Sequence, residues 1–282
     1  MVFIRELVKA CGAPVYELFK KGLVAGVSGG GLNACGLAHP KKFTPEAIID
    51  FFVESGPKIF KRGWFTAVDS LFEATFDNNE LRDALEQHYG ETTLHEALCP
   101  LYIPTWDLAS AQPVEYTEAD YTAMWYCCRA TAAVPGSFTT WGNLVDGGVY
   151  GSNPVLWAFA NARKRYGMNA KFLILSIGTG SSSFPLNANA LHNAGALQWA
   201  LPAIKTLAEA NPIVTELKAP WLFGPEDKYF RWQAPVPAGE STSFSDGSKE
   251  NSAALIKFQE EVLAERQSEF RVICDALLEC QG

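Results

Sequence analysis

Apolar positions along the chain fall into blocks whose spacing assigns most of the elements. Phe3, Leu7, Val8 and Cys11 recur at helical spacing, and Gly12 followed by Pro14 supplies a stop, so a first helix of two to three turns is expected. "GLVAGV" at 22–27 reads as a short buried strand, and "GGLNACGLA" after Ser28 as a helix of small residues closed by Pro40. Thr44 opens a further helix, with Pro45 at its first position and Glu46 in its first turn. Asn78 or Asn79 is the expected cap of "ELRDALEQHYG", whose Leu81, Ala84, Leu85 and His88 share a face and whose Gly90 ends it. "PLYIPTW" at 100–106 and "PVEY" at 113–116 read as strands across a polar turn, and "EADYTAMWYCCRATAAVP" as a helix ending before Pro135.

"NPVLWAFANARK" at 153–164 is a helix opened by Pro154, and "KFLILSIG" at 171–178 is a continuous apolar strand. The segment 248–279 reads as one long amphipathic helix or a helix pair. Strands alternate with helices throughout, which predicts a three-layer αβα fold of the α/β class with a mostly parallel central sheet. No repeat, low-complexity tract or linker interrupts the 282 residues, so a single domain over 1–282 is expected.

Composition narrows the function. At 48% hydrophobic and 12% aromatic the chain is an ordinary folded globule. Its net charge of −8, with no block of Lys or Arg, excludes nucleic acid as a partner class. Arg5, Glu6 and Lys9 interrupt any signal-peptide core, and no run has the length of a membrane span. Seven scattered cysteines without a C-x-x-C spacing indicate neither a zinc site nor a disulfide framework. A cytoplasmic or otherwise soluble intracellular protein is the expectation.

The chemistry centres on "GVSGG" at 26–30. A serine between a strand and a helix is presented on a tight turn at the carboxyl end of a sheet, which makes Ser28 a candidate nucleophile. Gly26 and Gly30 allow the turn, and the Gly29 N–H at the helix start is placed to stabilise an oxyanion. The same letters also describe a glycine-rich turn around a buried serine or a phosphate cradle.

A serine hydroxyl needs a base. Of His39, His88, His95 and His192, only His192 follows a candidate acid in the Ser, Asp, His order of an α/β-hydrolase. The 27 residues ahead of Ser28 are too few for the strands such a fold places there, which ranks a Ser28-Asp146-His192 triad second. Asp146 in "NLVDGGVYGSNP" ranks first: an apolar strand end delivers the carboxylate, and Gly147 and Gly148 turn the chain behind it. Alone, Asp-Gly-Gly is also good turn chemistry.

Taken together these blocks resemble the patatin-like phospholipases. "GVSGG" is similar to the family's nucleophile elbow, "DGGVYGSNP" to its D-G-G/A segment, "CCRATAAVPGSF" at 127–138 to its A-C-R-A-T-S-A-A-P block, and "LILSIGTG" at 173–180 to its L-S-x-G-T-G strand and loop. "TTLHEALCPLYIPTWDL" and "SDGSKENSAALIKFQEEVL" extend the likeness, in family order, over nearly the whole chain. The resemblance implies a Ser-Asp dyad of Ser28 and Asp146 without histidine, and a sheet flanked by helices. It also implies hydrolysis of glycerolipid acyl esters through an acyl-serine, no metal or organic cofactor, and transient contact with a membrane surface.

The family also carries a strand and D-G-G-G-x-R-G oxyanion loop ahead of the elbow, with no counterpart upstream of Ser28. The domain therefore reads as N-terminally short, with an open sheet edge expected beside 22–27. A catalytically impaired storage or lipid-binding protein is the alternative. Arg129 reads as a structural arginine or a head-group contact, and Gly178-Thr179-Gly180 as a turn or cleft lining. Trp199, Trp221, Phe223, Phe230 and Trp232 read mostly as core, with a lipid-facing surface as the other role.

Overall fold

The computed structural model describes residues 1–61, 76, 78–181, 186–237 and 246–281. Its helices are α1 (Val2–Cys11), α2 (Val15–Leu18), α3 (Gly29–Ala38), α4 (Pro45–Ile59), α5 (Asn78–Tyr89), α6 (Met124–Thr131), α7 (Gly148–Gly151), α8 (Val155–Tyr166), α9 (Ala188–Leu191), α10 (Ala196–Leu222), α11 (Lys249–Glu265) and α12 (Gln267–Glu279). Its strands are β1 (Val24–Ala25), β2 (Leu101–Asp107), β3 (Gln112–Thr117), β4 (Leu144–Asp146), β5 (Leu173–Ile177) and β6 (Lys228–Trp232).

The predicted punctuation does its work. Gly12 closes α1 in the left-handed conformation, and the Thr44 hydroxyl accepts from the Ala47 N–H to cap α4, with Pro45 at its first position. The C-terminal segment is a helix pair broken at Arg266, opened by the Ser248 cap. Two expectations shift. Asn78 lies inside α5 rather than capping it, its Oδ1 accepting from Arg129 and from the Thr139 N–H. The helix expected from Glu118 begins only at Met124, because Asp120 accepts from the Thr117 N–H in a tight turn that ends β3.

The α/β class holds, with parallel pairing in both sheets. β1 lies parallel to β2, and β5 parallel to β6; β3 and β4 both pair antiparallel with β2. On its other side β1 carries no strand among the described residues, which is the open edge expected beside 22–27. α3 and α6 cover β2, and the core between them holds Leu32, Cys35, Leu101, Ile103, Met124 and Cys128. A second core joins α1, α12 and the β5–β6 pair through Phe3, Leu7, Trp232 and Ile273. Trp232 is 1% exposed, its ring against Phe3 and under the Arg266 guanidinium.

A histidine pair sits at the edge of the first core. His39 is buried at the end of α3, accepting from the Lys41 N–H at Nδ1 and donating through Nε2 to the Tyr89 carbonyl. His88 is stacked between Phe43 and Phe51, and burial, with His39 and Lys41 nearby, pushes its pKa down to about 4. The folded chain then binds fewer protons than the unfolded one between the ordinary histidine value of about 6.5 and about 4. Stability from His88 is complete above that window and is lost as pH falls through it. Thermal melts from pH 7 to pH 4 are expected to show a smaller loss of stability in His88→Phe, which keeps the stacking and cannot titrate.

Candidate active site

β2 has two edges, and β3 occupies one of them along residues 102–107. β1 and β4 therefore share the other, β1 at Leu101 and Tyr102, β4 from Thr105 to Asp107. β1 runs parallel and leads into Ser28; β4 runs antiparallel and sets Asp146 opposite Thr105. Three residues past the Ala25–Tyr102 pair the chain reaches Ser28, whose N–H is tied through the Thr131 hydroxyl to the Pro104 carbonyl of β2. Two segments far apart in sequence thus deliver a hydroxyl and a carboxylate to one place.

Ser28 sits at φ 55°, ψ −130°, a conformation that a residue with a side chain rarely adopts, at the N-cap of α3. The surrounding contacts fix it. Its N–H donates to Thr131 Oγ1 (3.0 Å), whose hydroxyl donates to the Pro104 carbonyl (2.8 Å), and the Gly26 N–H donates to the Tyr102 carbonyl. The Ser28 carbonyl accepts from Gly31 and Leu32, starting the helix. Gly26 is required by close approach: a Cβ there would lie 2.0 Å from the Gly30 carbonyl oxygen. Gly29 and Gly30 meet nothing within 4 Å of a built Cβ, so the space beside the serine is open, and the Gly29 N–H is among the first-turn donors that the helix leaves without an intrahelical partner.

Asp146 is 3% exposed. Its N–H donates to the Ala133 carbonyl, and its Oδ1 accepts from the Gly148 N–H at 2.7 Å. Burial raises the carboxyl to about 6, the neighbouring Ser28 side chain and the Gly148 N–H offsetting part of that rise. Gly147 is pressed against β2, where a Cβ would lie 2.3 Å from the Pro104 carbonyl oxygen. What this arrangement can do chemically is accept the serine proton at neutral pH, where the carboxylate is ionised, and aim a helix N-terminus at an oxyanion.

The other sequence candidates fall elsewhere. His192 is exposed in the turn after α9, while the groups that set the Asp146 carboxyl are Ser28 and Gly148. Arg129 is fully buried, its Nη2 donating to Asn78 Oδ1 and the Thr139 carbonyl, with Phe138 and Trp141 against the guanidinium; a head-group contact is replaced by an internal clamp. Gly178 and Gly180 lie against Gln233, which accepts from the Gly180 N–H, and Ser181 bridges Pro235 in parallel, so this segment runs on beside the continuation of β6 instead of turning. Thr131 is the residue that reading for nucleophiles and bases missed; a threonine two residues past "CCR", at a helix end, gave no signal of contact with a backbone 103 positions away.

Known proteins align with these features. Residues 22–159 match the family model described as patatin-like phospholipase. Among curated relatives, "Probable inactive patatin-3-Kuras 1" of Solanum tuberosum is 28% identical over 88% of this chain and 76% of its own length. "Patatin group D-2" of the same plant is 29% identical over 86% of the chain and 72% of its length. "Patatin-like protein 1" of Oryza sativa subsp. indica is 26% identical over 92% and 75%. The match and the relatives support the family read from the motifs.

Two outcomes follow from the Asp146 environment. A carboxyl raised in the fold favours folding below its unfolded value near 4 and loses that contribution as pH rises through about 6. Asp146→Asn is therefore expected to be more stable than the parent at pH 7 by about 1–3 kcal/mol in urea unfolding, and no more stable at pH 4. Gly147→Ala, which drives a methyl into the Pro104 carbonyl, is expected to lower stability by 2 kcal/mol or more, on the order of an overpacked core.

Proposed function

We propose that this protein, whose residues 22–159 match the patatin-like phospholipase family model, is a serine esterase acting on acyl esters of glycerolipids, with Ser28 as nucleophile and Asp146 as its general base. The observation that carries the reading is the convergence of Ser28 and the buried Asp146 on one edge of β2, both gripped by the 131–133 segment. Ser28 Oγ attacks the ester carbonyl as its proton passes to the Asp146 carboxylate, and the Gly29 N–H donates to the oxyanion. Collapse of the tetrahedral intermediate expels the alcohol, which takes the proton back from Asp146. Water, deprotonated by the same carboxylate, then hydrolyses the acyl-serine. No histidine is needed, because a carboxyl near 6 is ionised at neutral pH yet basic enough to assist.

The lipid reading brings a surface with it. Among the described residues no helix is long and apolar enough to cross a membrane. α10, however, turns apolar side chains outward: Trp199, Leu207, Ile213, Val214, Leu217 and Trp221 are exposed, Trp221 to 85%, while Thr215 and Ala219 face inward. Asn211 ties this helix to the segment that follows Asp146, its Nδ2 donating to the Tyr150 carbonyl and its Oδ1 accepting from the Asn153 N–H. A transient contact of this stripe with a lipid surface would hold the site at the aggregate from which substrate is drawn.

The first test is hydrolysis of a short-chain p-nitrophenyl ester and of phosphatidylcholine vesicles. The chain is expected to turn over both, Ser28→Ala to lose at least about 10³-fold, and Asp146→Asn about 10²–10⁴-fold. The parent kcat/KM is expected to rise with pH about a midpoint near 6, following ionisation of Asp146. Absence of Ser28-dependent turnover at any pH would favour the impaired, lipid-binding alternative, which the name of one potato relative makes concrete. Replacing Trp221 and Leu217 together by Ala is expected to lower vesicle hydrolysis several-fold and leave the soluble ester rate unchanged.

A further inference from the structure

Thr131 is fully buried at the last position of α6, and its two branches meet the start of α3 at two different points. The hydroxyl accepts from the Ser28 N–H at 3.0 Å and donates to the Pro104 carbonyl at 2.8 Å. The methyl faces Gly31, where a Cβ would lie 2.7 Å from Thr131 Cγ2. The roles of the hydroxyl are fixed by its partners, since an N–H cannot accept and a carbonyl cannot donate. Position 131 therefore calls for a short side chain that does both. A helical threonine commonly turns its hydroxyl back onto its own helix; this one reaches across to β2 and to the serine turn instead.

We propose that Thr131 is a positioning residue for the nucleophile: its hydroxyl, and not its bulk, holds Ser28 in the conformation from which it reacts. The proposal rests on the reading of Ser28 as nucleophile given above. Ser28 lies at φ 55°, ψ −130°, where a residue with a side chain is strained. Its carbonyl is held by the Gly31 and Leu32 N–H groups of the helix, and the Gly30 N–H is committed to the Val27 carbonyl. The Ser28 N–H is the one backbone group of the residue that the helix does not hold, and the bond to Thr131 completes the grip. Without that bond the N–H has lost its partner, and relaxation toward negative φ re-aims the side chain relative to Asp146, which β2 holds from the other strand. A displacement of the order of 1 Å is enough to cost about 10²-fold in rate.

The test compares Thr131→Val, which keeps a methyl beside Gly31 and loses the hydroxyl, with Thr131→Ser, which does the reverse. In hydrolysis of the short-chain p-nitrophenyl ester, Thr131→Val is expected to lower kcat about 10²-fold and to leave KM within about twofold of the parent. Thr131→Ser is expected to keep at least about a third of the parent kcat; a packing role would reverse this order. Independently of turnover, hydrogen exchange of the Ser28 amide, followed by NMR, is expected to quicken at least about tenfold in Thr131→Val and to stay within about threefold of the parent in Thr131→Ser. A parent without Ser28-dependent turnover would sink the esterase reading, and the exchange rates would still decide whether the Thr131 hydroxyl holds Ser28. Should Thr131→Val fail to fold, Thr131→Ala against Thr131→Ser carries the comparison, because that pair differs in the hydroxyl alone. Parent-like kcat in the variant without the hydroxyl, a Thr131→Ser protein equally slow, or unchanged Ser28 exchange once the hydroxyl is gone would overturn the proposal.

Discussion

The shared edge of β2 is the constraint on which the site depends. One strand edge receives a parallel neighbour at its start and an antiparallel neighbour at its end. The first hands the chain to Ser28 and the second stops at Asp146, so the pairing of β2 brings the two residues to one edge. β2 contributes through its main chain as well: the Tyr102 carbonyl holds Gly26, the Pro104 carbonyl holds Thr131, and that same carbonyl leaves room only for glycine at 147. A shift of this strand by one residue would turn its side chains to the opposite face and dissolve both halves of the site.

α6 supplies the second bracket. Thr131, its last residue, bonds the Ser28 N–H, and Ala133, just beyond, bonds the Asp146 N–H. Within three positions one segment grips both catalytic candidates, while Arg129 two residues earlier anchors it to α5 and to residue 139. Among the described residues Arg129 meets no carboxylate; aromatic faces and amide oxygens surround its guanidinium, and burial lowers its pKa to about 10, which leaves it protonated at neutral pH.

The parts of this architecture legible in the sequence are those governed by local rules. Strand, serine and glycines at 22–30 announce a turn into a helix, and an apolar run ending in Asp-Gly-Gly announces a carboxylate at a strand end. Nothing local says that the two meet, since their meeting is a property of β2 register. α10 escaped the reading because Pro202, Pro212 and Pro220 look like breaks, and because its apolar face points outward. Trp232 and Trp221 stand in one aromatic run, yet one is core and the other surface; the pairing of β6 with β5 separates them, and that pairing is non-local. Arg129 reads first as a structural arginine from its sequence, but only its partners on α5 and at residue 139 show which groups it holds.

The strain at Ser28 and the burial of Asp146 have a common logic. A side chain at φ 55° and a carboxyl removed from water both cost folding free energy, of order 1–3 kcal/mol each. Both persist because β2 and α6 over-determine their positions by hydrogen bonds and by contacts too close for a Cβ. A turn or cap with no chemical task relaxes at lower cost: a glycine at 28 would remove the backbone strain, and an asparagine at 146 would keep the Gly148 hydrogen bond without a buried charge. Two independent departures from the stable choice, brought together on one edge of β2 beside a helix N-terminus, are what separates this site from an ordinary glycine-rich turn.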